Sequence, residues 1–375
     1  MRAFLALALL APTLLAQRWA VQYFYDEDRS QLQIVDLVFP SAERGFAAGI
    51  LTEYSGKQKF TAMWTSDGGA HWTLDPFKEE PRSLFFLNDS LGWMVTDKGI
   101  WKTEESGRTW RKISDQKKSD KTIIRGPSRG LILRVAFFDS EHGFAVGDQK
   151  SLFETHDGGR TWMPVAEAAK PESRPEYSSY SRIVLQGQTG FVVGSSNPPR
   201  PGSRNALPVW VAPEQAAKRR QVPQLTLLLE TQDKGATWRS TTAPLFGYLN
   251  SMAISGTRGL SVFAFDENFE VPSEVYNVDF AKGTSVSTFR QKDRRVSSAA
   301  LFGSQGFIAA VEPTGRLNSP LVPGKVKILR STDLKNWEEM PVDYKAVAGA
   351  VLLAGPDSDH LWAATDTGMI LHLAK

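Results

Sequence analysis

Three arginines, Arg82, Arg134 and Arg182, each stand eight to ten residues ahead of a glycine and near the start of an apolar run. Counting back the same distance elsewhere in the chain finds Asp36, Ser251 and Ser297. A guanidinium presents a planar fork of donors that grips a carboxylate or another anion through paired hydrogen bonds. Three of them at equivalent places would suit an acidic group on a binding partner. The alternative is that each arginine flanks its own strand or pairs with a neighbouring acid, and the spacing leaves the two readings even.

Other chemistries find fewer parts. The five histidines (His71, His142, His156, His360 and His372) form no H-x-H or HExxH pair, so their spacing offers no metal site. The chain has no cysteine, which removes thiol nucleophiles, zinc–thiolate centres and disulfides together. There is no G-x-S-x-G elbow, P-loop or dinucleotide fingerprint. Forty-four basic against 41 acidic residues leave a net charge of +3, too balanced to point to nucleic acid.

The elements that must position the arginines are written as repeats. THDGGRTW (155–162) has relatives in TSDGGAHW (65–72), TEESGRTW (103–110), TQDKGATW (231–238) and the shortened STDLKNW (331–337). This is the Asp-box, or bacterial neuraminidase repeat. Its acid (Asp67, Glu105, Asp157, Asp233, Asp333) can bond the amides of its own turn, and glycine supplies the positive φ. Its tryptophan (Trp72, Trp110, Trp162, Trp238, Trp337) anchors the outgoing strand. The boxes are expected to be structural, with no catalytic residue among them.

A second series runs beside the first: GFAAG (45–49), GWMVT (92–96), GFAVG (143–147), GFVVG (190–194), GLSVF (259–263), GFIAA (306–310) and LWAAT (361–365). Seven copies over residues 17–375 give about 51 residues each, the size of a four-stranded propeller blade. The expected fold is all-β, a single seven-bladed β-propeller of four-stranded antiparallel blades. The last repeat has strands at 347–354, 361–365 and 369–373 and then ends, so Trp19–Tyr25 is expected to supply its fourth strand and close the ring. Blade 5 keeps its strands but has lost its box.

Residues 1–16 carry one leading basic residue, Arg2, a short apolar stretch and Ala16 before Gln17. They read as a secretory signal peptide, with residues 17–375 as the exported propeller in a periplasm, lumen or medium.

Strand alternation puts the boxes on one rim and the long loops on the other. The blade 4 loop at 195–224 has a net charge of +4 and holds Trp210, Arg219 and Arg220, and the connection at 111–130 has a net charge of +5. In the same arrangement Arg82, Arg134 and Arg182 fall on the innermost strands of three consecutive blades, near the mouth of the central channel. Long loops on a rigid scaffold often carry binding.

Propellers with degenerate GFAVG and T-x-DGG-x-TW repeats resemble the photosystem II assembly and stability factor family. The resemblance runs from Trp19 to Lys375 and is strongest at 134–165. It implies a lumenal chaperone that binds a newly made reaction-centre subunit through an arginine-rich patch. The expectation is therefore a monomeric, non-enzymatic propeller without metal or cofactor that binds a protein or peptide, including a membrane-protein segment, and no nucleic acid. Arg82, Arg134, Arg182, Trp210, Arg219 and Arg220 are the candidate contacts. A sialidase-like glycosidase is the enzymatic alternative. It would need a Tyr nucleophile with a partnering Glu, for which Glu274 and Tyr276 are the available pair, and an Arg-Ile-Pro motif that does not occur between Gln17 and Phe60.

Overall fold

The computed structural model describes residues 17–27, 29–115, 131–198, 223–265, 269–313 and 322–374. These form seven antiparallel sheets in a ring, each read outward from an innermost strand. The innermost strands are Ser30–Val38, Pro81–Phe86, Ile132–Phe137, Ser178–Gln186, Tyr248–Ser255, Arg295–Phe302 and Val351–Ala354, for blades 1 to 7. The second strands coincide with the glycine-led series, from Gly45–Glu53 in blade 1 to Trp362–Thr365 in blade 7. Gly143–Gly147 is buried along its whole length because sheets cover both its faces. Continuous apolar runs, with no alternation, are the expected signature of such strands.

The ring closes through the chain's two ends. Arg18–Phe24 pairs antiparallel with Met369–Ala374 as the fourth strand of blade 7, with Trp19 opposite Leu373. Trp19 is 1% exposed and its backbone also bonds Pro341 and Asp343, which ties blade 7 to blade 6. The sequence run expected as one strand at 347–354 is divided in two. Val347–Ala348 pairs with Gly324–Lys325 as a fifth strand of blade 6, and only Val351–Ala354 starts blade 7. The division falls at Gly349-Ala350, where Gly349 donates its N–H to Asp366.

The boxes work as local chemistry predicts. In blade 3, Asp157 accepts the N–H groups of Arg160 and Thr161 at 2.9 Å each and the Thr161 hydroxyl at 2.6 Å. Thr155 accepts the Gly159 N–H, and Gly159 sits at φ +93°, a region that favours glycine. In blade 2 Glu105 reaches the same threonine, Thr109, with its longer side chain. Each box tryptophan stands edge-on to a phenylalanine, as Trp162 does to Phe137 and Trp238 to Phe144.

Each box also lies against the second strand of the blade before it. Trp93 of blade 2 donates to the Gly158 carbonyl in the blade 3 box, and Trp362 of blade 7 to Gly68 in the blade 1 box. Gly235 of the blade 4 box packs on the ring of Phe144. The boxes thus cap the apolar interfaces between blades. Among the described residues, buried apolar clusters fill six of the seven interfaces, and the one between blades 4 and 5 has none.

Candidate functional site

The inner strands of blades 1 to 6 each slip register by one residue, near their starts in blades 2 to 6 and past the middle in blade 1, as β-bulges at Val35, Arg82, Leu133, Ser181, Asn250 and Ser297. A bulge adds an unpaired residue and re-aims the side chains beside it. Asp36, Ser83, Arg134, Arg182, Ser251 and Ser298 follow directly. Arg82 and Ser297 therefore occupy the bulge itself, one place before the register shared by Arg134 and Arg182.

These positions and the bulges beside them link blades 1 to 2, 2 to 3, 4 to 5, 5 to 6 and 6 to 7. Asp36 of blade 1 accepts the Leu84 N–H of blade 2 at 2.9 Å, and the Ser83 hydroxyl donates to the Leu133 carbonyl of blade 3 at 2.8 Å. Arg182 of blade 4 donates through Nε to the Asn250 carbonyl of blade 5 at 2.9 Å, and Nη2 reaches the same oxygen. Asn250 in turn donates to Ser297 of blade 6, whose hydroxyl donates to the Val351 carbonyl of blade 7 at 2.7 Å. Buried backbone groups at the inner strands are satisfied this way, in a ring whose interfaces are otherwise apolar.

The three arginines consequently differ. Arg182 is committed to the backbone, since Nη1 also donates to the Ser181 carbonyl. Burial, then the charge of Arg134, lowers its pKa to about 10, so it remains a cation at neutral pH. Arg134 makes one longer contact, Nη1 to Asp36 Oδ2 at 3.4 Å, with 30% of its side chain exposed. Arg82 is half-buried, and its Nε has no hydrogen-bond partner among the described residues. Burial raises the carboxyl of Asp148 above the ordinary aspartate value, and the Arg82 charge opposes that rise. Among the described residues, Arg134 therefore keeps guanidinium donors beyond its one long contact, the Arg82 Nε is buried and unpaired, and Arg182 holds the wall between blades 4 and 5. Trp210, Arg219 and Arg220 lie outside the described residues.

Two other groupings bear on chemistry. His142, Glu154 and His156 are brought together on the box rim, where Glu154 Oε1 is 2.8 Å from His142 Nε2 and 3.4 Å from His156 Nε2. Two imidazoles and a carboxylate are a donor set that transition metals use, so the fold brings together a candidate ligand group that the spacing of the histidines did not offer. One histidine ends a first-to-second strand turn and the other opens a box, and alternation returns both turns to one rim. The Glu274–Tyr276 pair lies on one face of a blade 5 strand, with Glu274 also accepting the Ser287 hydroxyl. Burial, then the bond to Glu274, raises the Tyr276 pKa, the opposite of what a nucleophilic phenolate needs. Both residues line the space between blades 4 and 5.

Comparison with known proteins finds photosystem II assembly factors, and also vacuolar protein sorting/targeting protein 10 of Laccaria bicolor, 26% identical over 31% of this chain and 8% of that protein. A family model described as "Photosynthesis system II assembly factor YCF48" matches residues 114–198, across blade 3 and into blade 4. The photosystem II assembly protein Ycf48 of Thermosynechococcus vestitus is 24% identical over 276 residues, covering 66% of this chain and 70% of that protein. The chain is a β-propeller similar to photosystem II assembly factors. A photosystem II assembly lipoprotein Ycf48 of Trichormus variabilis is 33% identical over 66 residues, 17% of the assembly factor-like chain and 19% of the relative. Among solved structures, YCF48 bound to D1 peptide superposes with a TM-score of 0.57 at 14% identity, covering 95% of this chain and all of that one. At that identity the likeness establishes the fold. The Ycf48 relatives are named as assembly factors and none as an enzyme, and a lipoprotein among them is consistent with export.

Proposed function

We propose that this assembly factor-like propeller is an exported, non-enzymatic chaperone or scaffold that binds a protein or peptide at the mouth of its central channel. The observation that carries the reading is Arg134, partly exposed with a single long contact to Asp36, flanked by Arg82, whose buried Nε has no partner among the described residues, and by a fixed Arg182. Guanidinium donors fit a side-chain or terminal carboxylate of a polypeptide. Trp210, Arg219 and Arg220 would add contacts from the long basic loop of blade 4. The D1 peptide held by a structural relative supports a peptide as the ligand class, and a membrane-protein segment is the partner we favour. Residues 1–16 act as the export signal in this reading, so the mature chain should begin at Gln17 when its intact mass is measured.

The test is an array of short peptides tiled across the exported faces of membrane proteins, probed with the mature propeller. Bound spots should be rich in Asp, Glu or free carboxyl termini. Binding spread without regard to charge would count against the channel arginines as the recognising groups.

A further inference from the structure

Blade 5 lacks a box, and the consequence falls on the interface with blade 4. In boxed blades 1 to 4 the turn between third and fourth strands covers a large second-strand residue of the preceding blade: Trp362, Phe46, Trp93 and Phe144 in turn. Blade 7 also has no box, but Trp19 fills the buried cluster there. The equivalent residue of blade 4, Phe191, stacks on Phe280 of the blade 5 turn at 4.4 Å. What remains is a cleft of about 550 Å³ between the two blades. Its walls include Phe191, Val193 and Leu228 of blade 4 and Leu249, Met252 and Phe263 of blade 5. That volume is within the range of roughly 300–1,000 Å³ seen for ligand pockets.

We propose that this cleft binds bulky apolar side chains of the same polypeptide whose acidic group sits at the channel mouth; the assignment rests on the peptide-binding reading above. Two features choose this occupant. The first is continuity. Arg182 bonds the Asn250 carbonyl, Leu249 beside it is cleft wall, and Tyr248, Leu245 and Phe246 continue outward as large apolar residues 45%, 38% and 43% exposed. A segment extended along this wall would run from the inner-strand end held by Arg182, in the blade next to that of Arg134, into the cleft. The second is charge. Glu230, Glu274 and Asp279 line the cleft against Arg239 alone, and Arg239 is already paired with Glu230 at 2.8 Å. Carboxylate-lined walls repel an anionic amphiphile such as a fatty acid and favour an occupant that brings N–H donors, as a peptide does.

The experiment uses the mature chain and two fluorescein-labelled peptides with a free carboxyl terminus, one carrying a pair of phenylalanines and one with serines in their place, each also made as the terminal amide. Wild type should bind the phenylalanine peptide about tenfold or more tightly than the serine peptide, as expected for burying one or two large side chains. The preference should vanish in Leu228→Glu, which places a charge in the cleft, and in Met252→Trp, which fills it. Circular dichroism confirms that each variant folds, and the second variant serves if the first does not. A preference that survives in the folded variants, or is missing in wild type, overturns the cleft assignment. A dimer dispersed by Leu228→Glu would give the cleft to a second copy and overturn it equally. Amidation reports on the channel separately: equal binding of acid and amide would sink the arginine reading while the apolar preference is still measured.

Discussion

Asp36 is the residue whose removal most sharply separates a structural ring of links from a binding site. It is 8% exposed and accepts the Leu84 N–H of the next blade, the Leu37 N–H at 3.1 Å and a contact from Arg134. Asp36→Ala strands two buried N–H groups, each worth roughly 1–3 kcal/mol when left unpaired. The Arg134 contact, long and partly exposed, adds about 1 kcal/mol or less. The expected loss is therefore about 3–5 kcal/mol for Asp36→Ala but only about 1 kcal/mol for Arg134→Met. Urea unfolding followed by tryptophan fluorescence measures both. The reasoning is refuted if Asp36→Ala stays within about 1 kcal/mol of wild type, or if Arg134→Met destabilises as much as Asp36→Ala. Either result would mean that the acid's main partner is the guanidinium and not the neighbouring blade.

Three further outcomes are expected. Gly235→Ala should destabilise by about 3 kcal/mol or more, because it combines φ +94° with a Cβ driven into the Phe144 ring, whereas Gly256→Ala, at φ +61° in open space, should lose only about 1 kcal/mol. Trp19→Ala should lose about 3–5 kcal/mol and lower hydrogen-exchange protection in Met369–Ala374, since Trp19 fills the closing interface. The His71 amide, then its imidazole, hold the Asp67 carboxyl at about 2, below its ordinary 3.8, so its stabilisation is complete above about pH 4 and lost as pH falls through 2. Thermal melts of wild type and Asp67→Asn should accordingly converge over that window and stay parallel above it.

The fold was legible because its units are short and self-marking. The glycine-led segments locate second strands through their unbroken apolar runs, the boxes locate third-to-fourth turns through Asp, Gly and Trp, and a strand missing after residue 374 had an obvious substitute at Trp19. The site was less so. Val35, Arg82, Leu133, Ser181, Asn250 and Ser297 are of five residue types, so the bulge that displaces Arg82 by one place leaves no mark in the chain. The His142–Glu154–His156 group spans a turn, a strand and a box, and only the rim geometry brings it together. Loss of the blade 5 box could be read directly, but the empty interface that follows depends on which neighbour a box covers. Arg182 carried the same signal as Arg134 in sequence, yet its guanidinium is taken up by Asn250 and Ser181.

The central claim is that Arg82 and Arg134, at the channel mouth, recognise an acidic polypeptide. Calorimetric titration of the strongest acidic peptide from the tiled array, against wild type and against a chain carrying both Arg82→Glu and Arg134→Glu, tests it most directly. Each lost charge-assisted contact is worth roughly 1.5–3 kcal/mol, so the account predicts binding weakened by about a hundredfold or more. Unchanged affinity in a correctly folded double variant would contradict it.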